Sequence, residues 1–305
     1  HSYYNKKALF FSSYIQDKIE YENMVINIGL RYDQFNPDDN YIANLVNPEG
    51  DTKKATNKKT YSPRFGISFP ITDKGIVHFS YGHFYQMPTL RNLYKQSIFG
   101  ANQSPTVGYA NLNPEKTIQY EFGLQQQLSQ YIAFDMSIYY KDVRDLLALQ
   151  SISYDSPSYG PSSYRVYLNK DYASIKGFTF SLTKRYDPIT RISAFLDYGF
   201  QISEGNSVSS GSFYFNTLTG VQEEKRVVPL SWDQRHIVNA TVTYNHFNKW
   251  GASLIGKISS GWPYTPNIPF ANYVPEPNSD RKPWQKNVNA RIFKSFKLKS
   301  HSLVL

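Results

Sequence analysis

The chain has 305 residues, of which 40% are apolar and 19% charged, so it can fold and is not a disordered tail. It contains no cysteine, which excludes a disulfide scaffold and thiolate metal sites. The formal charge of +9 is scattered, apart from Lys53, Lys54, Lys58 and Lys59 in one predicted loop, and reads as solvated surface rather than a nucleic-acid footprint.

Aromatic content is the unusual feature of the composition: 26 Tyr and 20 Phe against 3 Met. Aromatic residues favour strands, and tyrosine favours boundaries where one end is apolar and the other wet. Taken in chain order, the hydrophobic period is two almost everywhere. A noisy strand is predicted over 8–20. Over 24–33, Met24, Ile26, Ile28, Leu30 and Tyr32 share one face, opposite Asn27, Gly29, Arg31 and Asp33. Shorter versions follow at 62–71 and 76–86. In 117–128, Ile118, Tyr120, Phe122 and Leu124 oppose Gln119, Glu121, Gly123 and Gln125. In 132–141, Ile132, Phe134, Met136, Ile138 and Tyr140 oppose Ala133, Asp135, Ser137, Tyr139 and Lys141. Further strands are predicted at 174–184, 192–201, 236–244, 251–260 and 286–297. The pattern is weakest in 251–260, where Ile255 falls on the polar face. No segment shows sustained helical spacing. Many of these roughly eleven strands approach the 9–11 residues that a tilted strand needs to cross a bilayer.

The predicted connections alternate in length. Short turns fall at 21–23, 72–75, 129–130, 187–188, 245–249 and 299–300. Long polar connections fall at about 34–60, 87–113, 142–165, 203–231 and 262–283. An up-and-down succession therefore puts every short turn at one end and every long loop at the other, as in outer-membrane barrels. No apolar run approaches the roughly 18 residues of a membrane-spanning helix. The mean hydropathy of −0.51 does not argue against a barrel, whose strands are apolar only at alternate positions.

Alternation alone also fits a soluble sandwich. Three observations favour the membrane. Arg31, Arg64, Glu121, Asp135, Lys141, Asp197, Lys257 and Arg291 all fall on the polar face, and the apolar face is expected to be free of charge at mid-strand. Trp232, Trp250, Trp262 and Trp284 lie at predicted strand ends, as interfacial girdles require. The polar face is rich in Gly, Ser, Thr, Asn and Gln, which suits a wet lumen. The expected fold is all-β: an antiparallel up-and-down transmembrane β-barrel, incomplete, with about eleven to twelve strands. The chain opens at His1 in mid-pattern and stops at Leu305 inside a strand, so both ends are expected to be cut. An open sheet would leave unpaired backbone in hydrocarbon, so further strands are expected from the native protein.

Several strings carry a resemblance. They are Tyr14-Ile15-Gln16-Asp17 before Gly29-Leu30-Arg31-Tyr32-Asp33, Ser62-Pro63-Arg64-Phe65-Gly66, and Tyr81-Gly82-His83-Phe84-Tyr85-Gln86-Met87-Pro88. Leu112-Asn113-Pro114-Glu115-Lys116, Lys176-Gly177-Phe178, Trp232-Asp233-Gln234-Arg235-His236 and Ser260-Gly261-Trp262-Pro263-Tyr264-Thr265-Pro266 follow. In their order and spacing over nearly the whole chain they resemble the C-terminal barrel region of TonB-dependent receptors, particularly Oar-like receptors with a carboxypeptidase-regulatory-like domain. The resemblance implies a 22-stranded barrel closed by a plug. It implies residence in the cell outer membrane and TonB-energised uptake of a bulky nutrient. Residues 1–305 would form wall and extracellular loops, with plug, TonB box and N-terminal strands lying outside this sequence. The expected partners are outer-membrane lipid, TonB through the N-terminal region, and an unidentified ligand; a complete barrel is expected to be monomeric.

Candidate sites divide by residue type. Asp233, Arg235 and His236 form an acid/base string, but on a strand entry they are expected to bond loop backbone or neighbouring strands rather than catalyse. His78 and His83 are five apart, face opposite sides of a strand and cannot share a metal. No enzyme activity and no cofactor are expected. The ligand-binding candidates are His83, Tyr85, Gln86, Arg91 and Tyr94 in one segment, and Tyr154, Tyr159, Tyr164 and Arg165 in another. Tyrosine supplies flat contact area at little entropic cost, and arginine suits anionic groups. The bland alternative is that they pack loops and girdle. At the level of function, the alternative is a passive porin-type channel. The face assignment predicts that arginine is excluded at Ile28 and accepted at Asn27.

Overall fold

Side chains that alternate apolar and polar can satisfy both faces only in an extended chain, and the strands form where that alternation runs. The structure, a computed structural model, describes residues 6–95, 105–206, 226–247, 249–267, 275–297 and 302–304. The first strands are β1 (Leu9–Tyr21), β2 (Met24–Asn36), β3 (Asn40–Ile42), β4 (Thr52–Lys54), β5 (Lys58–Thr72) and β6 (Gly75–Gln86). One short helix follows, α1 (Leu90–Tyr94), then β7 (Thr106–Val107), β8 (Glu115–Gln127), β9 (Ile132–Ser156), β10 (Gly160–Lys184) and β11 (Ile192–Gly205). The chain continues through β12 (Val228–Pro229), β13 (His236–His246), β14 (Trp250–Ser259), β15 (Pro263–Tyr264), β16 (Asp280–Arg281), β17 (Gln285–Lys297) and β18 (Ser302–Val304).

The long strands form one meander. Its order is β1-β2-β5-β6-β8-β9-β10-β11-β13-β14-β17-β18, and β7 and β12 attach beside β10 and β11. Each neighbouring pair along the meander is antiparallel. All eleven predicted strands are present, and β18 adds the twelfth. Among the described residues no helix is long and apolar enough to cross a membrane.

Register fixes the faces, because residues directly opposite one another in an antiparallel pair project to the same side. Phe79, Phe122, Ile138 and Phe178 stand in one such row, and Val77, Leu124, Met136 and Phe180 in the next. The other face carries Gln119, Glu121, Lys141, Asp197, Asn239 and Lys257. A hollow lined mostly by polar-face residues, Gln16, Asn27, Gly29, Arg64, Gly66, Ser80, Gly82 and Gln119, with Ile28, Phe65 and Tyr81 of the oily face at its margin, puts the concavity on the polar side. The oily face looks outward.

Four expectations need correction. The stretch 142–165 is not a loop: β9 and β10 run through it as 25-residue strands joined by a tight tip where Gly160 has φ of 68°. Its Ser, Pro and Gly content hid the strand because outside the membrane neither face has to stay uniformly oily. The connection 34–60 is not one loop either: it carries the β3–β4 hairpin with Lys53 and Lys54, and Lys58 and Lys59 begin β5, while the connection 87–113 holds the five-residue helix α1, too short to show a period. The outward face is also not free of charge, for Asp17 pairs with Ile28 between Ile15 and Ile19. Three further sequence-derived features lie wholly or partly outside the described residues: the turn at 299–300, Asn248 in the turn at 245–249, and stretches of the connections 87–113, 203–231 and 262–283.

Asp17 changes which substitution tests the face assignment. An arginine at Ile28 would meet a carboxylate across the strand pair and recover part of its cost. Ile138, 54% exposed between Phe122 and Phe178, has no such partner. We expect Ile138→Arg to destabilise the full-length protein by about 2–4 kcal/mol and to abolish heat-modifiable gel mobility. Gln125→Arg, opposite Asp135 on the concave face, should leave that mobility intact. Equal mobility of the two variants would reverse the faces.

Candidate functional site

The long-loop end of the sheet is a built structure. Strands of 25 residues extend to roughly 80 Å at the usual rise, more than twice a bilayer's needs, so the outer halves of β9 and β10 stand clear of the oily band. Two loops fold against them. Tyr164 is fully buried and its hydroxyl donates to the Leu45 carbonyl at 2.8 Å, while its ring meets Tyr154 edge-on at 5.8 Å. Burial pushes the Tyr164 phenol up to about 12, so it stays protonated and remains a donor at physiological pH. Val166 and Leu168 complete this core with Ile42, Leu45, Val107 and Tyr109. The Ser156 hydroxyl donates to Glu49 at 2.7 Å. Beside β10, β7 adds a short parallel pairing at Arg165 and Val166.

A second core lies nearer the strand ends. Tyr94 and Leu93 of α1 pack on Phe35 and Leu112, and the Tyr94 hydroxyl donates to the Pro37 carbonyl at 2.7 Å. The Lys58 ammonium, three residues beyond Tyr61, donates to Thr56 at 2.9 Å and Asn111 at 2.8 Å, and burial holds it below the usual lysine range. Asn169 locks the base of the hairpin. Its amide donates to the Asn113 carbonyl at 3.0 Å and the Asp145 carbonyl at 2.7 Å, and its side-chain oxygen accepts from Asn113 N–H at 2.7 Å.

The sequence-derived candidates separate in this frame. Tyr94, Tyr154 and Tyr164 are buried and bind the loops together. Gln86 and Arg91 are exposed at the mouth, Gln86 on the concave side of β6. Tyr159 stands at the hairpin tip, 52% exposed. Arg165 is half-buried and alternates with Tyr164 and Val166, so it points to the other side of β10. His83 and Tyr85 share the outward face with Ile118 and Lys116, and the Tyr81 hydroxyl lies 2.6 Å from the His83 ring. The nine are therefore not one cluster. His78 faces the concave side near Glu121, at 3.7 Å.

The Asp233 string bonds as expected and recruits a residue that the sequence did not offer. Asp233 is fully buried. One carboxylate oxygen accepts from Ser203 N–H at 2.8 Å; the other accepts from Arg235 Nε at 2.8 Å and from Arg281. Arg281 also donates to the Asp233 carbonyl at 2.7 Å. One carboxylate thus joins the end of β11, the entry to β13 and the β15–β16 hairpin. Arg281 is 48 positions away, which leaves no local signal.

Removing a partner from a buried ion pair costs about 3–5 kcal/mol, but Arg235 and Arg281 are 27% and 33% exposed and can rehydrate. We expect Asp233→Ala to cost about 2 kcal/mol locally. Limited proteolysis of the full-length protein should show faster cleavage around 226–235 and 275–284 with heat-modifiable mobility retained. An unchanged cleavage pattern would remove Asp233 from that role.

No curated protein matches the chain in sequence. A family model described as "TonB dependent receptor-like, beta-barrel" matches residues 2–305. Among solved structures, the outer membrane transporter YddB from Escherichia coli is 17% identical with a TM-score of 0.65, covering 94% of this chain and 39% of its own. The siderophore receptor PiuA from Acinetobacter baumannii is 15% identical with a TM-score of 0.61, covering 96% and 37%. The copper transporter OprC is 15% identical with a TM-score of 0.59, covering 95% and 41%. The chain thus spans about two fifths of the length of these proteins, and at such identities they share its fold alone. The match over 2–305, on a meander with an oily outer face and a polar concave one, means that the chain belongs to the TonB-dependent receptor β-barrel family and is a wall of an outer-membrane barrel.

Proposed function

We propose that this chain is the C-terminal portion of a receptor that takes up a bulky nutrient with energy delivered through TonB, and that the rest of the protein supplies the plug and the strands that close the barrel. The observation that carries this reading is the loop assembly. A passive pore needs an open mouth, whereas here two buried cores and an Asp233-centred junction organise the loops at the long-loop end of a polar wall. Rigid loops above a polar wall suit capture of a ligand before an energised step.

Gln86, Arg91 and Tyr159 are the candidates whose side chains are presented to solvent there, and we assign them to first contact with ligand. Tyr94, Tyr154 and Tyr164 act by holding that surface in shape. A siderophore, the class named for the receptor PiuA, is the first cargo to test. The complete barrel would act as a monomer embedded in outer-membrane lipid.

Cells expressing the full-length gene should accumulate one member of a labelled panel (ferric catecholate, ferric hydroxamate, cupric ion, cobalamin, maltodextrin). Accumulation should vanish without TonB or on addition of a protonophore. Arg91→Ala should lower uptake without changing heat-modifiable mobility. Uptake that survives loss of both TonB and the proton gradient would instead favour the porin-type channel.

A further inference from the structure

The outward face changes character just above its aromatic belt. Tyr32 and Tyr61 meet as tilted rings 5.2 Å apart on β2 and β5, and Tyr81, Tyr120 and Tyr140 continue the belt across β6, β8 and β9. Two and four residues further out along β8 come Ile118 and Lys116. At about 3.3 Å per residue and a tilt near 45°, Lys116 lies roughly 9 Å beyond the belt, in the headgroup zone.

Lys116 and Arg144 are directly opposite one another in the β8–β9 pair, so two cations share one spot on the outer surface. Like charges so placed repel, a cost that an anion bound between them would offset. Each is propped by a ring: Lys116 Nζ lies 5.9 Å from the centre of Tyr85, and Arg144 lies 5.9 Å from that of Tyr172. Asp142 takes only one edge of the guanidinium, accepting from Nε at 2.9 and 3.1 Å. The Arg144 side chain is otherwise 60% exposed. His83 lies on the same face, one row inward, opposite Ile118. Lys176 is an exposed cation on the same face of β10, opposite Tyr140. By contrast, Lys184 at the short-turn end is already committed to Asp187 at 3.6 Å.

We propose that Lys116 and Arg144, on the outward face above the tyrosine belt, bind a phosphate group of an outer-leaflet lipid headgroup. The free edge of Arg144 matches two phosphate oxygens and Lys116 adds a point charge, while Tyr85 and Tyr172 wall the site. The acyl chains of such a lipid would lie along Ile118, Phe122 and Ile138 beneath it. This assignment does not depend on what the receptor transports.

The test uses the full-length receptor purified in detergent and titrated with bisphosphorylated lipid A or with its dephosphorylated form, bound lipid being read by native mass spectrometry. Wild type should prefer the phosphorylated form. Lys116→Ala with Arg144→Ala should lose roughly 25-fold in affinity, on the order of fivefold per cation. Lys54→Ala, an exposed cation at the end of β4, should change nothing. Asp142→Asn should tighten binding by freeing Arg144, and it keeps the proposal testable if the double variant fails to fold. Equal binding of both lipid forms, an unchanged double variant, or weaker binding by Asp142→Asn would overturn the proposal. Displacement of the lipid by an equal concentration of inorganic phosphate would assign the site to a soluble anion and reject the lipid.

Discussion

Hydrocarbon offers no hydrogen bonds, and that deprivation organises this chain more than any single contact. A strand in a bilayer must find both neighbours within its own sheet, so chain order becomes spatial order and each strand pairs with the next long one. The same medium requires one face to be oily, which with a period of two forces the polar residues onto the other. The concave wall is therefore polar by default, and its internal bonds follow: Ser181 and Asn239 both donate to Asp197, at 2.9 and 3.3 Å. Arg31 and Ser12 bind Asp33 in the same way, at 2.8 and 2.7 Å.

Where the oily band ends, a different rule takes over. Water can satisfy any backbone group there, so nothing compels the chain to remain in strands, and structure persists only where side chains find partners. The outer β9–β10 hairpin persists because other loops lean on it: Leu45, Glu49, Asn113 and Tyr109 reach it from segments distant in sequence. Two of these contacts, at Leu45 and Asn113, end on backbone carbonyls. A buried tyrosine hydroxyl bonded to a carbonyl fixes where a loop runs without depending on which residue the loop carries at that point. The β15–β16 hairpin is held by the same logic, through Arg281 and the Asp233 carbonyl.

This division also explains what could be read from the sequence. Strand positions, faces and the two kinds of turn were legible because alternation is a local property and hydrocarbon enforces it. The hairpin at 142–165 was not, since Ser153, Ser156, Pro157, Gly160 and Pro161 look like a loop once the oily face is no longer required. The roles of Tyr94 and Tyr164 needed partners 57 and 119 positions away. His83 and Tyr85 looked like mouth residues by composition. Their odd-numbered positions in β6, shared with Val77, Phe79 and Tyr81, carry them to the outer surface, and counting parity from Phe79 would have shown it.

The outer aromatic belt is itself a packed object, not merely a distribution of amphipathic rings. His236 lies nearly parallel to both Tyr198 and Trp284, at 6.2 and 5.8 Å, and the Tyr198 hydroxyl is 2.9 Å from its Nδ1. Trp284 precedes β17 and Tyr198 sits in β11, so this one imidazole joins three strands on the outward side. Asp233, three residues before it in sequence, joins loops above the same strands. A single turn of chain, 233–236, therefore fastens the rim twice, once through a buried carboxylate and once through stacked rings. That economy gives a physical reason for the Asp-Gln-Arg-His order: histidine belongs to the stacked rings, aspartate and arginine to the loop junction, and glutamine bonds the Ser260 carbonyl at 2.9 Å to hold the next strand in register.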